Sequence, residues 1–137
     1  MAVLTSLKVS TKMENLGRLI ESVSGCAKAQ GFDQERISKI ELATEEALVN
    51  IVRYAYPEGP GDVEMICQVD RGRFIIEIID SGIPFDVTAM PDPDVTAGIE
   101  ERELGGLGIF LIRRMMDEVR YRREDNRNIL TLIIQKD

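Results

Sequence analysis

The stretch from Asp33 to Ile79 constrains this chain more than any other. Ile37, Ile40, Thr44, Ala47, Leu48 and Ile51 recur at helical spacing, so they form one stripe that a neighbouring element must cover. Asp33 is placed to cap the start of this helix, and Pro57, Gly59, Pro60 and Gly61 end it. The period then changes from helix to strand. Val63, Met65, Cys67 and Val69 alternate with polar residues, Asp70-Arg71-Gly72 reads as a turn, and Phe74 to Ile79 is rich in β-branched residues. A one-striped helix followed by a hairpin points to a helix layer packed on a sheet.

The rest of the chain fits that plan. Val3 to Val9 alternates loosely as a first strand, and Leu16, Leu19, Ile20, Val23, Cys26 and Ala27 predict an amphipathic helix over 12–30, stopped by Gly31. Leu107, Ile109, Leu111, Ile112, Met115 and Met116 define a third helix, after which strands Val119 to Arg123 and Asn128 to Ile134 meet around Asp125-Asn126-Arg127. The order βααββ, loop, αββ predicts an α+β fold: a two-layer sandwich whose mixed, mostly antiparallel sheet is covered on one face by three helices. Residues 86–104 contain Pro91 and Pro93, are acid-rich and have few large apolar residues, so they read as a long loop. The elements on either side are too few for separate cores, which makes residues 1–137 a single domain.

Composition removes several function classes. With no histidine in the sequence, imidazole cannot serve as base, nucleophile, metal ligand or phosphoacceptor. Asp and Glu number 24 against 17 Lys and Arg, a net charge of −7 that repels a phosphate backbone. The arginines 113, 114, 120, 122 and 123 are interleaved with Asp117, Glu118 and Glu124, which reads as a solvated face and not a nucleic-acid patch. Cys26 and Cys67 are isolated in sequence and predict reduced thiols in the interior, not a zinc site or disulfide framework. No apolar run approaches the ~20 residues that span a bilayer, and the N-terminus lacks a leader pattern, so a cytoplasmic protein is expected.

Three local patterns carry chemistry. Glu46 and Asn50 lie four residues apart on the second helix, roughly 40° around the axis and about 6 Å along it, beside the apolar stripe. Such an oxygen-rich pair suits a hard divalent cation on the Asn carbonyl and a proton acceptor at Glu46; a solvated helix face is the alternative. Asp80-Ser81-Gly82-Ile83-Pro84 follows an apolar strand, so the Asp80 carboxylate is held at a strand end where it can accept from a ligand amine, or simply close a turn. Gly105-Gly106-Leu107-Gly108 leads into the third helix, whose free N–H groups and positive end suit phosphate; a hinge is the other reading.

Taken in order, Glu45-Glu46-Ala47-Leu48-Val49-Asn50, Asp80 to Asp86 and Gly105 to Ile112 resemble the three nucleotide-binding boxes of the GHKL (Bergerat-fold, histidine-kinase-like) ATPase superfamily. More narrowly the chain is similar to the anti-sigma-factor serine/threonine kinases of bacterial partner-switching systems. The resemblance implies ATP and Mg²⁺ as cofactors, with Glu46 as general base and Asn50 as the magnesium-holding residue; Glu45 is only its neighbour. It places Asp80 on the adenine amino group and gives Gly82 the task of making room for the ring. Arg53, Ile83, Gly105, Gly106, Leu107 and Gly108 complete the nucleotide contacts, Thr131 supports the adenine aspartate, and residues 86–104 form the ATP lid. Some members carry an arginine just before the glycine loop, where this chain has Leu104, with Arg102 nearest. The partners implied are an anti-sigma-factor antagonist of STAS type, a sigma factor, and a second copy of the chain in a homodimer. A module that binds ATP and gates a partner without phosphoryl transfer is the competing expectation.

Overall fold

The computed structural model describes residues 2–89 and 104–136, with side chains from residue 109 onward in the second stretch. Residues 90–103, most of the expected lid together with Pro91, Pro93 and Arg102, lie outside the described residues. Strand β1 (Ala2–Ser10) leads through a 3₁₀ turn (Met13–Asn15) to α1 (Leu16–Ala29) and α2 (Gln34–Tyr54). The hairpin β2 (Asp62–Asp70) and β3 (Arg73–Asp80) follows, then a 3₁₀ turn (Val87–Ala89), α3 (Leu104–Met115), β4 (Glu118–Glu124) and β5 (Arg127–Gln135). The first predicted helix therefore begins at Leu16, the first residue of its apolar pattern, and not at residue 12, because residues 13–15 form a 3₁₀ turn.

The strands form one sheet of order β1-β2-β3-β5-β4, and all four pairings are antiparallel. Both hairpins turn on two residues in the left-handed region, Arg71 and Gly72 (φ 54° and 77°) and Asp125 and Asn126 (φ 53° and 61°). That is the turn geometry whose twist matches paired strands, and Gly and Asn are the residues it tolerates best. Asp33 caps α2 by accepting from the Arg36 N–H at 2.9 Å.

All three helices contribute to one core with the inner sheet face. Leu19, Val23, Ile40, Leu48, Ile109 and Ile112 pack against Val63, Met65, Cys67, Phe74, Ile76, Ile78 and Leu132. Alternation then sends Ile75, Glu77 and Ile79 of β3, and Ile129, Thr131 and Ile133 of β5, to the opposite face. α2 is the central helix, packing against both α1 and α3. Its C-terminal half lies over the end of the sheet at which β3 delivers Asp80. Among the described residues no helix is long and apolar enough to cross a membrane.

Candidate functional site

The α2 stripe that fills the core with Ala43, Ala47 and Ile51 carries Asn50 inward with it, and this polar residue is only 4% exposed. Its amide nitrogen is buried and has no hydrogen-bond partner among the described residues. An orphaned buried amide costs about 1–3 kcal/mol, so a fold that retains one has left a binding capacity unused. One turn earlier Glu46 is half-buried, and Glu45 points to solvent. Burial pushes the Glu46 carboxyl above its ordinary value, Glu45 adds to the rise, and the Arg53 guanidinium two turns further on opposes it. Arg53 itself is exposed.

Asp80 meets Asn50 at one cavity, lined also by Ala47, Ile51, Asn128 and Leu130. The Asp80 Oδ1 atom accepts from the Gly82 N–H at 2.9 Å and from the Asn128 carboxamide at 2.9 Å. Burial raises the Asp80 carboxyl, while those two bonds and the Arg123 charge pull it back. With Oδ1 held by two donors, Oδ2 remains to accept from a ligand amine. The free volume is about 20 Å³, which is room for one water. A purine therefore enters only if Phe85, Val87 or Tyr121, which also line the cavity, give way.

A larger open groove of about 480 Å³ lies on the other side of the Asp80 loop, lined by Tyr56, Ile83, Pro84 and Arg123 among others, but it contains neither Asn50 nor Asp80. Asn50 and Asp80 converge at the small cavity and not at the groove, so the small cavity is the better candidate.

Thr131 cannot support Asp80: it pairs with Glu77 across β3 and β5, on the face away from the helices. Asn128 does that work. It pairs directly with Asp80, donates to Asp80 and to the Ile83 carbonyl (2.8 Å), and accepts from the Tyr121 hydroxyl (2.5 Å) and the Phe85 N–H (3.3 Å). The only sequence signal for it was its place just after the Asp125-Asn126 turn, across from the end of β3. Replacing Asn128 with alanine leaves Asp80, Tyr121 and two loop groups short of partners; urea unfolding should show a loss of about 2–3 kcal/mol. A loss within 0.5 kcal/mol, in the range of an ordinary surface change, would count against this hub.

Gly82 is required for packing, a role its sequence context did not show. A Cβ there would sit 2.2 Å from the Ala55 carbonyl oxygen. The close approach lets the Ile83 N–H donate to that same oxygen at 2.8 Å, while Arg123 donates to the Gly82 carbonyl at 2.8 Å. Gly82→Ala should cost about 1–3 kcal/mol through overpacking, and thermal unfolding should register it; an unchanged midpoint would show that the loop has room to move. Ile83 is 49% exposed and lines the open groove, so it does not join Asn50 and Asp80.

The glycine run lies within α3, not ahead of it: the helix starts at Leu104, so Gly105, Gly106, Leu107 and Gly108 make its first turn. The first four N–H groups of a helix lack partners inside it, so the anion-binding capacity of this backbone is preserved. Arg113 of α3 donates to the Thr88 carbonyl, which fastens the 3₁₀ turn Val87–Ala89 to α3.

A magnesium site made by protein alone would need several oxygen donors, and among the described residues no group of three Asp, Glu, His or Cys is suited to hold a metal. A single buried Asn fits the other mode, in which magnesium keeps waters and substrate phosphates and takes one or two protein oxygens.

An oxygen pair on a helix, an aspartate at a strand end and a glycine-rich helix start, all on an antiparallel sheet with one helical layer, define a nucleotide-using domain. The chain belongs to the histidine kinase-like ATPase domain family, whose profile matches residues 9–134. ATP is thus the nucleotide for which this fold is built. Among similar proteins, the serine-protein kinase RsbW of Bacillus cereus (strain AH820) is 27% identical over 136 residues, spanning 96% of this chain and 85% of that kinase. The serine-protein kinases RsbW of Bacillus anthracis and of Bacillus thuringiensis (strain Al Hakam) match at the same identity and coverage.

Proposed function

We propose that this chain is a Mg-ATP-dependent serine/threonine protein kinase that acts as an anti-sigma factor: it phosphorylates a STAS-type anti-sigma-factor antagonist and alternately holds a sigma factor. The single observation that most supports this reading is the buried, unpartnered Asn50 amide facing the cavity that also holds Asp80. Similarity to serine-protein kinases along nearly the whole chain supports phosphoryl transfer to a hydroxyl.

In this reading Asp80 Oδ2 accepts from the adenine amine, with Asn128 and Gly82 holding the other oxygen. The first turn of α3 receives phosphate oxygens on its free N–H groups. Asn50 would hold magnesium through its carboxamide oxygen, and the ion would supply positive charge at the phosphates. Amide oxygen and nitrogen exchange by a flip, so the unpaired end serves equally as ligand. Glu46, its carboxyl raised by burial, takes the proton from the substrate hydroxyl. The hydroxyl oxygen bonds to the terminal phosphorus, the bond from that phosphorus to the bridging oxygen breaks, and ADP leaves. The protein partners and a homodimer are part of the same proposal.

The direct test mixes the chain with a STAS-type antagonist, γ-labelled ATP and magnesium. Stoichiometric label on an antagonist serine or threonine is expected, and lost when magnesium is chelated. Nucleotide-dependent complex formation without any label would instead establish the ATP-gated binding module.

A further inference from the structure

Cys26 and Cys67 are far apart in sequence, but the fold sets them against one another. Cys67 is fully buried on the inner face of β2 and pairs across the sheet with Thr5 of β1. Cys26, on α1, lines an open groove of about 460 Å³ that also exposes Leu4 and Thr5, so α1 holds it above the Thr5–Cys67 pair. α1 packs against both β1 and β2, and Cys26 packs on the core that contains Cys67, so each thiol lies where it perturbs the other. Both are free thiols. One is half-buried at a groove wide enough for a small oxidant, and the other waits beneath it in the core.

We propose that Cys26 and Cys67 form a peroxide-oxidisable dithiol, a covalent modification site in which Cys26 reacts first and Cys67 resolves it into an intramolecular disulfide joining α1 to β2. The Cys26 sulfur attacks one oxygen of the peroxide; the O–O bond breaks, giving a sulfenic acid and water. The Cys67 sulfur then attacks the Cys26 sulfur, an S–S bond forms, the S–O bond breaks and a second water leaves. Two thiols are oxidised and one hydrogen peroxide is reduced to two waters.

The order of events follows from the surroundings. Burial holds Cys67 protonated, with its thiol pushed up to about 12, and the neighbouring Cys67 thiol favours the ionised form of Cys26. Burial also raises Cys26, so the first step is slow and needs excess peroxide. The second step is intramolecular between neighbouring groups, so it outruns further oxidation of the sulfenic acid. The closed loop encloses all of α2. Cross-linking therefore restricts the unfolded chain around the helix that carries Glu46 and Asn50.

The test treats the full chain, without nucleotide, with excess hydrogen peroxide, blocks remaining thiols under denaturing conditions and maps peptides without reduction. A Cys26–Cys67 linked peptide in monomeric protein is expected, with both thiols lost together, a raised urea midpoint, and recovery on adding a dithiol reductant. In Cys67→Ser, Cys26 should instead accumulate as a sulfenic acid that a 1,3-dione labels. Cys26 found as sulfinic acid beside an intact Cys67 thiol in the wild-type map would overturn the proposal. So would a disulfide joining two chains through Cys26, or two thiols still alkylated after exposure. The wild-type map decides even if the serine variant does not fold.

Discussion

Asn50→Ala should weaken magnesium-dependent ATP binding by about 100-fold while leaving the fold as stable as before, or slightly more so. The binding loss follows from removing a contact to a charged group, worth about 3 kcal/mol at the upper end, and each 1.4 kcal/mol is tenfold in affinity. The stability result runs against the usual behaviour of a residue only 4% exposed. Truncating a buried side chain normally destabilises, but here the amide nitrogen has no partner among the described residues. Deleting it removes an unpaid desolvation cost of about 1–3 kcal/mol and leaves only a small void, so the two effects nearly cancel. Calorimetric titration of ATP with and without Mg²⁺, paired with urea unfolding of the same samples, reads both. Undiminished ATP affinity would remove Asn50 from the site. A loss of stability above about 2 kcal/mol would mean that the amide is bonded inside the fold after all.

Nearly all of the fold was legible in the sequence because its elements have clean periods and distinct punctuation. Asp33 at the start of α2, the Arg71-Gly72 and Asp125-Asn126 turns and the alternation in β2 each give a local signal with one structural meaning. The partner of Asp80 was not legible, and the reason is specific. β5 reads Asn128-Ile129-Leu130-Thr131-Leu132-Ile133-Ile134, an almost continuous apolar run that hides which residues face inward. Asn128 and Thr131 are three apart, so they fall on opposite faces. Choosing between them requires the register of β3 on β5, which neither strand encodes alone. The packing role of Gly82 was not legible for a similar reason: its contact with Ala55 is made by the C-terminal end of a helix that only tertiary packing brings there. The glycine run at 105–108 reads as a breaker by propensity, yet α3 starts ahead of it, since packing of an amphipathic face outweighs intrinsic preference.

Glu46→Gln should reduce phosphoryl transfer by about 10²–10⁴-fold, the usual contribution of a positioned base, with ATP affinity kept within a few-fold. Glutamine preserves size and hydrogen bonding at the half-buried position but cannot take the hydroxyl proton. The pH dependence gives a second and independent readout. The Glu46 carboxyl is raised from 4.5 by burial first and by Glu45 second, against the pull of Arg53. Only its ionised form is a base, so wild-type turnover should fall as pH drops through this raised value. The acid limb should be absent from the residual activity of the glutamine variant. Stability moves the other way. Because the folded pKa is raised, the folded state binds the proton more tightly than the unfolded chain does. That contribution is fully present below the unfolded value and is lost as pH rises through the folded one. At neutral pH wild type therefore bears a desolvated charge that Glu46→Gln lacks, and the variant should unfold at an equal or higher urea midpoint, with the gap closing in acid. Transfer that persists at the wild-type rate in Glu46→Gln would exclude Glu46 as base and leave positioning on Asn50 and α3 as the whole of the catalysis. Parallel loss of ATP binding and transfer would instead place Glu46 in the binding of the nucleotide.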